Sequence, residues 1–311
     1  MEFDQSQQSF SDFRKRVKED PGSVIAIVGA GLSKPAGLPL WIELKDQLIS
    51  DLMKQADELP TPEEIIGRKS ELGRLKSSKD NWYVFSGIQR LYYKHAFQMR
   101  IKELLTRKKE MPVPKAYIKL WQLGIKGMIS FNLDTNPLDA FEEATKRRIN
   151  FAAGREEIKY SQYLSSLEQF VFYPHGYLMD PKTWAFTQGD RQEILALQNY
   201  KKFFEALFLA KTVILLGFNP EDFSFEYLLQ GSLAPFGENA PTHYILCPDP
   251  TPEQCAWLDT WHFLPIKYTP SNNQHLEVEY FLDLLLSFTS RDPYAPSVYE
   301  GMTITHEKAY P

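Results

Sequence analysis

The chain has 311 residues, of which 43% are hydrophobic and 24% charged, a composition that excludes a disordered chain or a fibre. Its formal net charge of -5 argues against general binding to a nucleic-acid phosphate backbone and leaves room only for a local basic patch. The two cysteines, Cys247 and Cys255, exclude a four-cysteine zinc site and do not indicate a secreted disulfide framework.

The first residues contain no apolar core of signal-peptide length. The longest apolar runs, such as VILLGF, are far shorter than the ~18 residues that a membrane span requires. We therefore expect a cytoplasmic protein without a membrane partner.

The first predicted strand is residues 24–28, VIAIV, a continuous apolar run between PGS and GAG. Such a run predicts a buried parallel strand that ends in a glycine turn. From Trp41 onward, Leu44, Leu48 and Leu52 recur at helical spacing, which predicts an amphipathic helix. Strand, turn and helix form the first half of a βαβ unit.

The glycine turn itself points to a ligand-binding loop. Gly29 and Gly31 permit a tight turn and close approach of the backbone to a ligand, and the N-terminal amides of the following helix would point toward a phosphate. The G-x-G-x-x-G fingerprint fails because position 34 is Lys, and no P-loop pattern occurs, so a common dehydrogenase and a P-loop ATPase are both disfavoured. The alternative is a turn in which glycine serves only tight packing.

The remaining segments predict a doubly wound parallel sheet. Residues 55–115 show no strong strand and are interpreted as a helical insertion, including an aromatic and basic helix from about Trp82 to Lys109. Strand-like runs then alternate with helix-length segments at residues 127–132, 169–176, 212–218, 242–247 and 264–268. The fold class is therefore α/β and Rossmann-like. We expect an N-terminal helix over residues 1–20, one domain over 21–290, and a C-terminal tail over 291–311.

Polar residues follow three of the later strands. Asn132 ends the 127–132 run and Asp134 follows it, at the edge where ligands sit in open α/β sheets. Asp134 is also a good candidate for an Asx turn or helix cap before Pro137. His175 is the one histidine of six that follows a predicted strand directly and precedes a glycine. In LLGFNPED, the glycine at position 217 and the asparagine at position 219 could admit and bind a ribose or phosphate.

This ordered set of strand-end motifs resembles the sirtuin superfamily, specifically its bacterial sirtuin-like branch in antiphage defence. The resemblance covers about residues 20–290. It implies that the loop of Gly29, Ala30, Gly31 and Ser33 holds the pyrophosphate of NAD. The resemblance adds further cofactor-binding residues: Gly37, Pro39 and Trp41 from the continuation G-L-P-x-W, Asp134, and Gly217, Phe218 and Asn219 from the late turn that resembles G-x-S. The family's N-x-D and H-G motifs correspond to Asn132 with Asp134 and to His175 with Gly176.

The departures from the family decide the expected reaction. Zinc-binding sirtuin deacylases carry two C-x-x-C pairs, whereas this sequence has no C-x-x-C, so we expect no metal and a water acceptor. We therefore expect an NAD hydrolase that releases nicotinamide and ADP-ribose. Asn132 would orient water or ribose hydroxyls, His175 with a pKa near ~6.5 would act as general base, and Asp134 would accept from the nicotinamide carboxamide.

The resemblance also implies regulation and partners. Unregulated loss of NAD would harm the cell, so we expect activity gated by homo-oligomerisation or by a partner such as a HerA-type ATPase or a short Argonaute. Two alternatives stay open: a subunit that binds NAD or ADP-ribose without hydrolysing it, and a protein deacylase. A nucleic-acid effector role is indicated only by the basic stretch at residues 100–109, and such a run more often forms a solvated helix face, so direct sequence-specific binding is not expected.

Overall fold

The computed structural model describes residues 3–154, 160–166, 168–218, 226–233, 237, 239–271 and 275–289. The strands of these residues form one parallel sheet of seven, in the order β3-β4-β2-β1-β5-β6-β7. They are Val24–Val28 (β1), Gly127–Ser130 (β2), Asn150–Ala153 (β3), Phe170–Tyr173 (β4), Thr212–Leu216 (β5), His243–Pro248 (β6) and Phe263–Tyr268 (β7). The predicted doubly wound α/β fold is confirmed.

The described helices flank this sheet and build a further layer above it. They are Gln8–Glu19 (α1), Trp41–Ala56 (α2), Pro62–Ser77 (α3), Asn81–Tyr92 (α4), Lys94–Leu105 (α5), Lys115–Gln122 (α6), Asn136–Thr145 (α7), Tyr160–Ser165 (α8), Gln188–Ala196 (α9), Gln198–Ala210 (α10), Glu226–Ser232 (α11), Pro252–Thr260 (α12) and Leu276–Phe288 (α13). None of them is long and apolar enough to cross a bilayer.

Alternate residues of β1 face two different hydrophobic cores. Val24, Ala26 and Val28 pack with side chains of α1, α6, α7 and α13, whereas Ile25 and Ile27 pack with side chains of α10 and α12. All five residues of β1 are buried, as expected for a central strand that is covered on both faces. The continuous apolar run that predicted this strand therefore reflects burial on both sides.

A third core lies among α2, α3, α4 and α5, and the leucines predicted at helical spacing, Leu44, Leu48 and Leu52, are buried in it. Residues that follow β2 and β4, including Leu133 and Phe186, join the same core. The helical layer is thereby packed directly onto the carboxyl ends of the central strands.

Two local predictions require correction. The single helix expected from about Trp82 to Lys109 is two helices, α4 and α5, because Tyr93 between them has a positive φ of 61° that interrupts a right-handed helix. The edge strand β3 was not predicted: Asn150 and Phe151 are exposed, so β3 lacks the continuous apolar run that marked the central strands. The C-terminal tail at 291–311 lies outside the described residues.

Candidate functional site

The predicted motifs follow four strands that are neighbours in the sheet. In the order β4-β2-β1-β5, these strands lead to His175, Asn132, Gly29 and Gly217. The chain passes from β1 to β2 on one side and returns to β5 on the other, which is the topological switch point where open α/β sheets bind ligands. Parallel pairing therefore brings the four motifs to one edge.

The glycine loop after β1 packs backbone against backbone on the loop after β5. The Gly29 amide donates to Leu216 O at 2.9 Å, and the Gly31 amide donates to Gly217 O at 3.0 Å. A Cβ at position 29 would lie 2.7 Å from Gly217 O, and one at position 31 would lie 2.9 Å from the same oxygen. Glycine is therefore required here by packing, and both amides are already bonded to carbonyl oxygens at the end of β5 and in the loop after it.

The opposing loop after β5 also requires a glycine, at position 217. Gly217 has a φ of +73°, and a Cβ there would lie 2.4 Å from the Leu32 amide nitrogen. The ring of Phe218 then stands edge-on to Phe131, with 6.0 Å between centroids. Asn219, which was also predicted to bind the cofactor, lies outside the described residues.

The segment from the glycine loop to α2 is not a direct helix entry. Two short 3-10 turns, Ala30–Leu32 and Lys34–Ala36, come first, and Gly37 follows in the left-handed region with a φ of +76°. The first turn of α2 is capped by its own Glu43 carboxylate, which accepts from the Leu40 amide at 2.8 Å. The Leu40 amide, at the start of this helix, is therefore bonded to an acidic side chain and is not left for a phosphate.

A cleft opens beside the glycine loop, and we call it the polar cleft after the three polar residues in its lining, Ser33, Asn132 and Asp134. Six of the predicted residues line it: Ala30, Ser33, Pro39, Trp41, Asn132 and Asp134. The rest of the lining consists of four leucines, Leu38, Leu44, Leu105 and Leu133. Since Leu44 belongs to α2 and Leu105 to α5, the helical layer forms one side of the cleft.

A buried hydrogen-bond network underlies the polar cleft. The Ser33 hydroxyl donates to Asp134 Oδ2 at 2.7 Å and lies 2.8 Å from the Tyr117 hydroxyl. Asn132 Nδ2 lies 3.1 Å from Ser33 Oγ and 3.2 Å from the Tyr117 hydroxyl. The loop after β1, the loop after β2 and helix α6 thus meet in one set of contacts.

The Asn132 carboxamide has a defined orientation. Its Nδ2 donates to Gly29 O at 2.8 Å, and because a carbonyl oxygen only accepts, the amide nitrogen must face that way. The other atom, Oδ1, is buried and accepts no hydrogen bond from any described residue. A buried acceptor without a donor costs about 1–3 kcal/mol, so a donor supplied by a ligand or water would be stabilised there.

Asp134 is held from two sides. Its Oδ1 accepts from the Asn136 amide at 2.9 Å, which is the Asx turn that the sequence left open as an alternative, and its Oδ2 accepts from Ser33. Burial raises the pKa of Asp134 to about 6, although these hydrogen bonds act in the opposite direction. The carboxyl therefore fixes Ser33 in place.

His175 lies in a second cavity, which we call the aromatic chamber. Its lining consists of Trp41, Asn81, Trp82, Phe85, His175, Ala185 and Phe186. The His175 ring is edge-on to Phe131, Trp82 and Trp41, with centroid distances of 4.9, 5.4 and 6.4 Å.

The chamber controls the charge of His175. The residue is 5% exposed, and burial lowers the pKa of its imidazole to about 4. The expected pKa near ~6.5 is therefore wrong, and the ring is neutral throughout the physiological pH range. Gly176 sets the turn: its φ is +100°, and a Cβ there would lie 2.5 Å from Thr183 O.

Trp41 lines both cavities, so it forms their common wall. Phe131 and Asn132 connect them on the other side, because the ring of Phe131 contacts His175 while Asn132 lines the polar cleft. The two residues predicted to be catalytic are therefore at adjoining cavities.

Sequence reasoning missed Tyr117, Trp82 and Phe131. Tyr117 occurs at core spacing within KAYIKLWQ, and nothing in that pattern distinguishes a buried hydroxyl that joins a network from an ordinary core tyrosine. Trp82 was named only as the approximate start of the aromatic and basic helix in the insertion. The described residues contain no group of three or more His, Cys, Asp or Glu side chains that could hold a metal ion.

Comparison with known proteins supports the sirtuin relationship. Residues 126–266 match the family model described as SIR2-like domain. The match spans just under half of the chain and contains Asn132, Asp134, His175 and Gly217, whereas the glycine loop after β1 lies outside it. It supports a SIR2-like relationship and, with it, an NAD-related function. No curated protein matches the chain.

Proposed function

We propose that this protein is an NAD hydrolase that cleaves the bond between nicotinamide and ribose and releases nicotinamide and ADP-ribose. The observation that carries the proposal is the Asn132 carboxamide, whose nitrogen is held by Gly29 O while its oxygen lacks a donor among the described residues. Asn132 also lies close to the cavity of the neutral His175, because the ring of its neighbour Phe131 contacts the His175 ring.

The residues fit the demands of this reaction. Loss of nicotinamide leaves an oxocarbenium-like ribose, so the site has to orient the ribose and a nucleophile on its anomeric carbon. Asn132 Oδ1 is an acceptor suited to a ribose hydroxyl or to the attacking water. Nicotinamide leaves as a neutral molecule from a cationic ring, so no strong acid is required. Among the residues that the structure describes, Asp134 is the one carboxylate that lines either cavity.

His175 acts as the proton acceptor. Because its pKa is lowered to about 4, the imidazole is neutral at every physiological pH and one of its ring nitrogens carries no proton. A low pKa also makes it a weak base, so it takes a proton only as water becomes bonded to the cationic carbon and turns strongly acidic. The aromatic chamber limits the number of competing water molecules around that step.

NAD enters this proposal as the substrate, and the fit is uneven along the molecule. The polar cleft offers Ser33, Asn132 and the half-buried Ala30 to the ribose and pyrophosphate. The amides of Gly29 and Gly31 are already bonded to the β5 loop, so the phosphate contacts rest on fewer groups than the motif predicted. Asp134 supports the site through Ser33, and direct contact with the nicotinamide carboxamide is not required.

The proposal includes a biological role and a form of control. NAD depletion by a gated enzyme suits an antiphage-defence effector in the cytoplasm, controlled by homo-oligomerisation or by a partner such as a HerA-type ATPase or a short Argonaute. The support is the resemblance of the motifs and the harm that ungated hydrolysis would cause.

The test is product analysis with purified protein, alone and with any co-purifying partner, incubated with NAD and an acetylated peptide. Nicotinamide and free ADP-ribose in equal amounts, with the peptide unchanged, are the expected products. Acetylated ADP-ribose together with deacetylated peptide would assign the protein to the deacylases.

A non-hydrolysing NAD-binding or ADP-ribose-binding subunit is the second candidate, and the low pKa of His175 is the observation that favours it. Stoichiometric NAD binding in a calorimeter without nicotinamide release under every activating condition would establish that candidate in place of the hydrolase.

A further inference from the structure

Tyr117 is a buried tyrosine whose hydroxyl reaches the candidate site from outside the predicted motifs. It lies in α6 and is 0% exposed. Its hydroxyl is 2.8 Å from Ser33 Oγ and 3.2 Å from Asn132 Nδ2. Trp121, one turn later in the same helix, donates its indole N–H to Pro137 O at 2.9 Å, which ties α6 to the start of α7. The position of the phenol is therefore set by the fold.

The hydrogens of this network can be assigned one by one. Ser33 has a single hydroxyl hydrogen, and the ionised Asp134 carboxylate accepts it at 2.7 Å. The contact between Tyr117 and Ser33 then needs the tyrosine hydrogen, so Tyr117 donates to Ser33 Oγ. The phenol oxygen is left as an acceptor, and Asn132 Nδ2 lies within reach of it.

The same assignment provides acceptors for both hydrogens of the Asn132 side-chain amide. Its nitrogen carries two hydrogens, one of which goes to Gly29 O. The second is shared between Ser33 Oγ and the Tyr117 hydroxyl. Burial, with the nearby charge of Asp134, raises the pKa of Tyr117 well above its usual value, so the phenol keeps its hydrogen across the physiological range.

We propose that Tyr117 is a positioning residue: it holds the Asn132 amide nitrogen so that Oδ1 is presented to the ribose or to water. This role rests on the proposed NAD hydrolysis. Without the phenol, Asn132 keeps the bond to Gly29 O but loses one of the acceptors for its second hydrogen, and Ser33 loses a donor. The carboxamide then has more freedom to rotate, which misplaces Oδ1 in the transition state.

Tyr117→Phe and Tyr173→Phe form a matched pair for the test. Both tyrosines are fully buried in the same core, and both substitutions remove one phenol oxygen. The Tyr173 hydroxyl bonds to no described residue, so its removal breaks no bond of the network. Thermal unfolding first establishes that both variants are folded.

Steady-state nicotinamide release is the first readout. Tyr117→Phe is expected to lower kcat about tenfold with little change in KM, the effect of one lost hydrogen bond of about 1–1.5 kcal/mol. Tyr173→Phe is expected to match wild type. Equal kcat values for Tyr117→Phe and wild type would overturn the positioning role while leaving the proposed hydrolysis intact.

The second readout does not depend on activity. Hydrogen exchange of the Asn132 side-chain NH₂, followed by NMR in protein labelled with ¹⁵N at asparagine, is expected to be faster in Tyr117→Phe than in wild type and Tyr173→Phe. Unchanged exchange would also overturn the role. If wild type releases no nicotinamide, the proposed function fails, and this exchange measurement alone decides whether Tyr117 holds Asn132.

Discussion

The two cavities that meet at Trp41 differ in how they control polar groups. In the polar cleft, Ser33, Asn132 and Asp134 are tied to one another and to the Gly29 backbone by hydrogen bonds of 2.7–3.1 Å. In the aromatic chamber, His175 is controlled by aromatic rings and by exclusion of water. The comparison shows two ways to prepare a side chain: hydrogen bonds determine where an atom points, and burial determines which protonation state is present.

The largest expected effect comes from breaking the orientation of Asn132. In Asn132→Asp, a carboxylate cannot donate to Gly29 O, so two oxygens would face each other at the 2.8 Å position. We expect nicotinamide release to fall on the order of 10²-fold, the scale for removal of one aligned polar group from a site. Asn150→Asp, the same change on the exposed edge strand, serves as control and should leave the rate unchanged. A rate for Asn132→Asp close to wild type would show that the orientation is irrelevant.

The chamber is tested next through His175→Gln. Glutamine keeps a polar side chain but cannot act as a base, so kcat should fall by about 10²-fold if the imidazole accepts a proton. His95→Gln on the exposed face of α5 provides the control. Because the pKa of His175 is about 4, the rate of the wild-type protein should show no inflection from this group between pH 6 and 8. An inflection near pH 6.5 that disappears in His175→Gln would contradict the chamber's effect on protonation.

His175 and Asp134, one from each cavity, should contribute in opposite directions to the pH dependence of the free energy of unfolding. The folded-state pKa of His175 is below the ordinary 6.5, so the unfolded chain binds a proton first as pH falls from 6.5 toward 4, and folded stability decreases. The folded-state pKa of Asp134 is raised from 3.8 to about 6, so the folded chain binds a proton first as pH falls through 6, and stability increases.

Urea unfolding between pH 7 and 5 separates these opposed contributions. His175→Gln removes the loss and should make the variant gain stability relative to wild type as pH falls, by at most about 1.4 kcal/mol per pH unit. Asp134→Asn removes the gain and should do the reverse. Parallel pH curves for wild type and both variants would mean that neither burial effect is present.

The smallest expected effect concerns the wall of the chamber. Trp82→Phe replaces an indole by a smaller phenyl ring at a position where the Trp82 ring is edge-on to His175, with 5.4 Å between the ring centroids. An aromatic pair contributes about 0.5–1.5 kcal/mol, so kcat/KM should fall a few-fold without a change in Asn132 exchange. Trp261→Phe, at the end of α12 beside the edge strand β7, is the matched control, and an equal loss in both variants would indicate general loosening of the fold.

Much of this architecture was predictable because each central strand is buried on both faces and therefore reads as a continuous apolar run. The neighbouring positions of Asn132, His175 and the glycine loop followed from parallel strand order. The role of Gly29 and Gly31 did not follow, because a glycine turn that packs on another backbone has the same letters as one that admits a phosphate. Tyr117 and the low pKa of His175 depend on side chains brought together from distant segments, which no local pattern records.

The central claim is that the scissile bond of NAD lies where the polar cleft meets the aromatic chamber. A crystal structure with an NAD analogue in which carbon replaces the ring oxygen of the nicotinamide ribose tests this directly. We expect a ribose hydroxyl or an ordered water to donate to Asn132 Oδ1 beside Trp41, with His175 facing the anomeric carbon. An analogue bound away from Trp41, or bound there with Asn132 Oδ1 still lacking a donor, would contradict it.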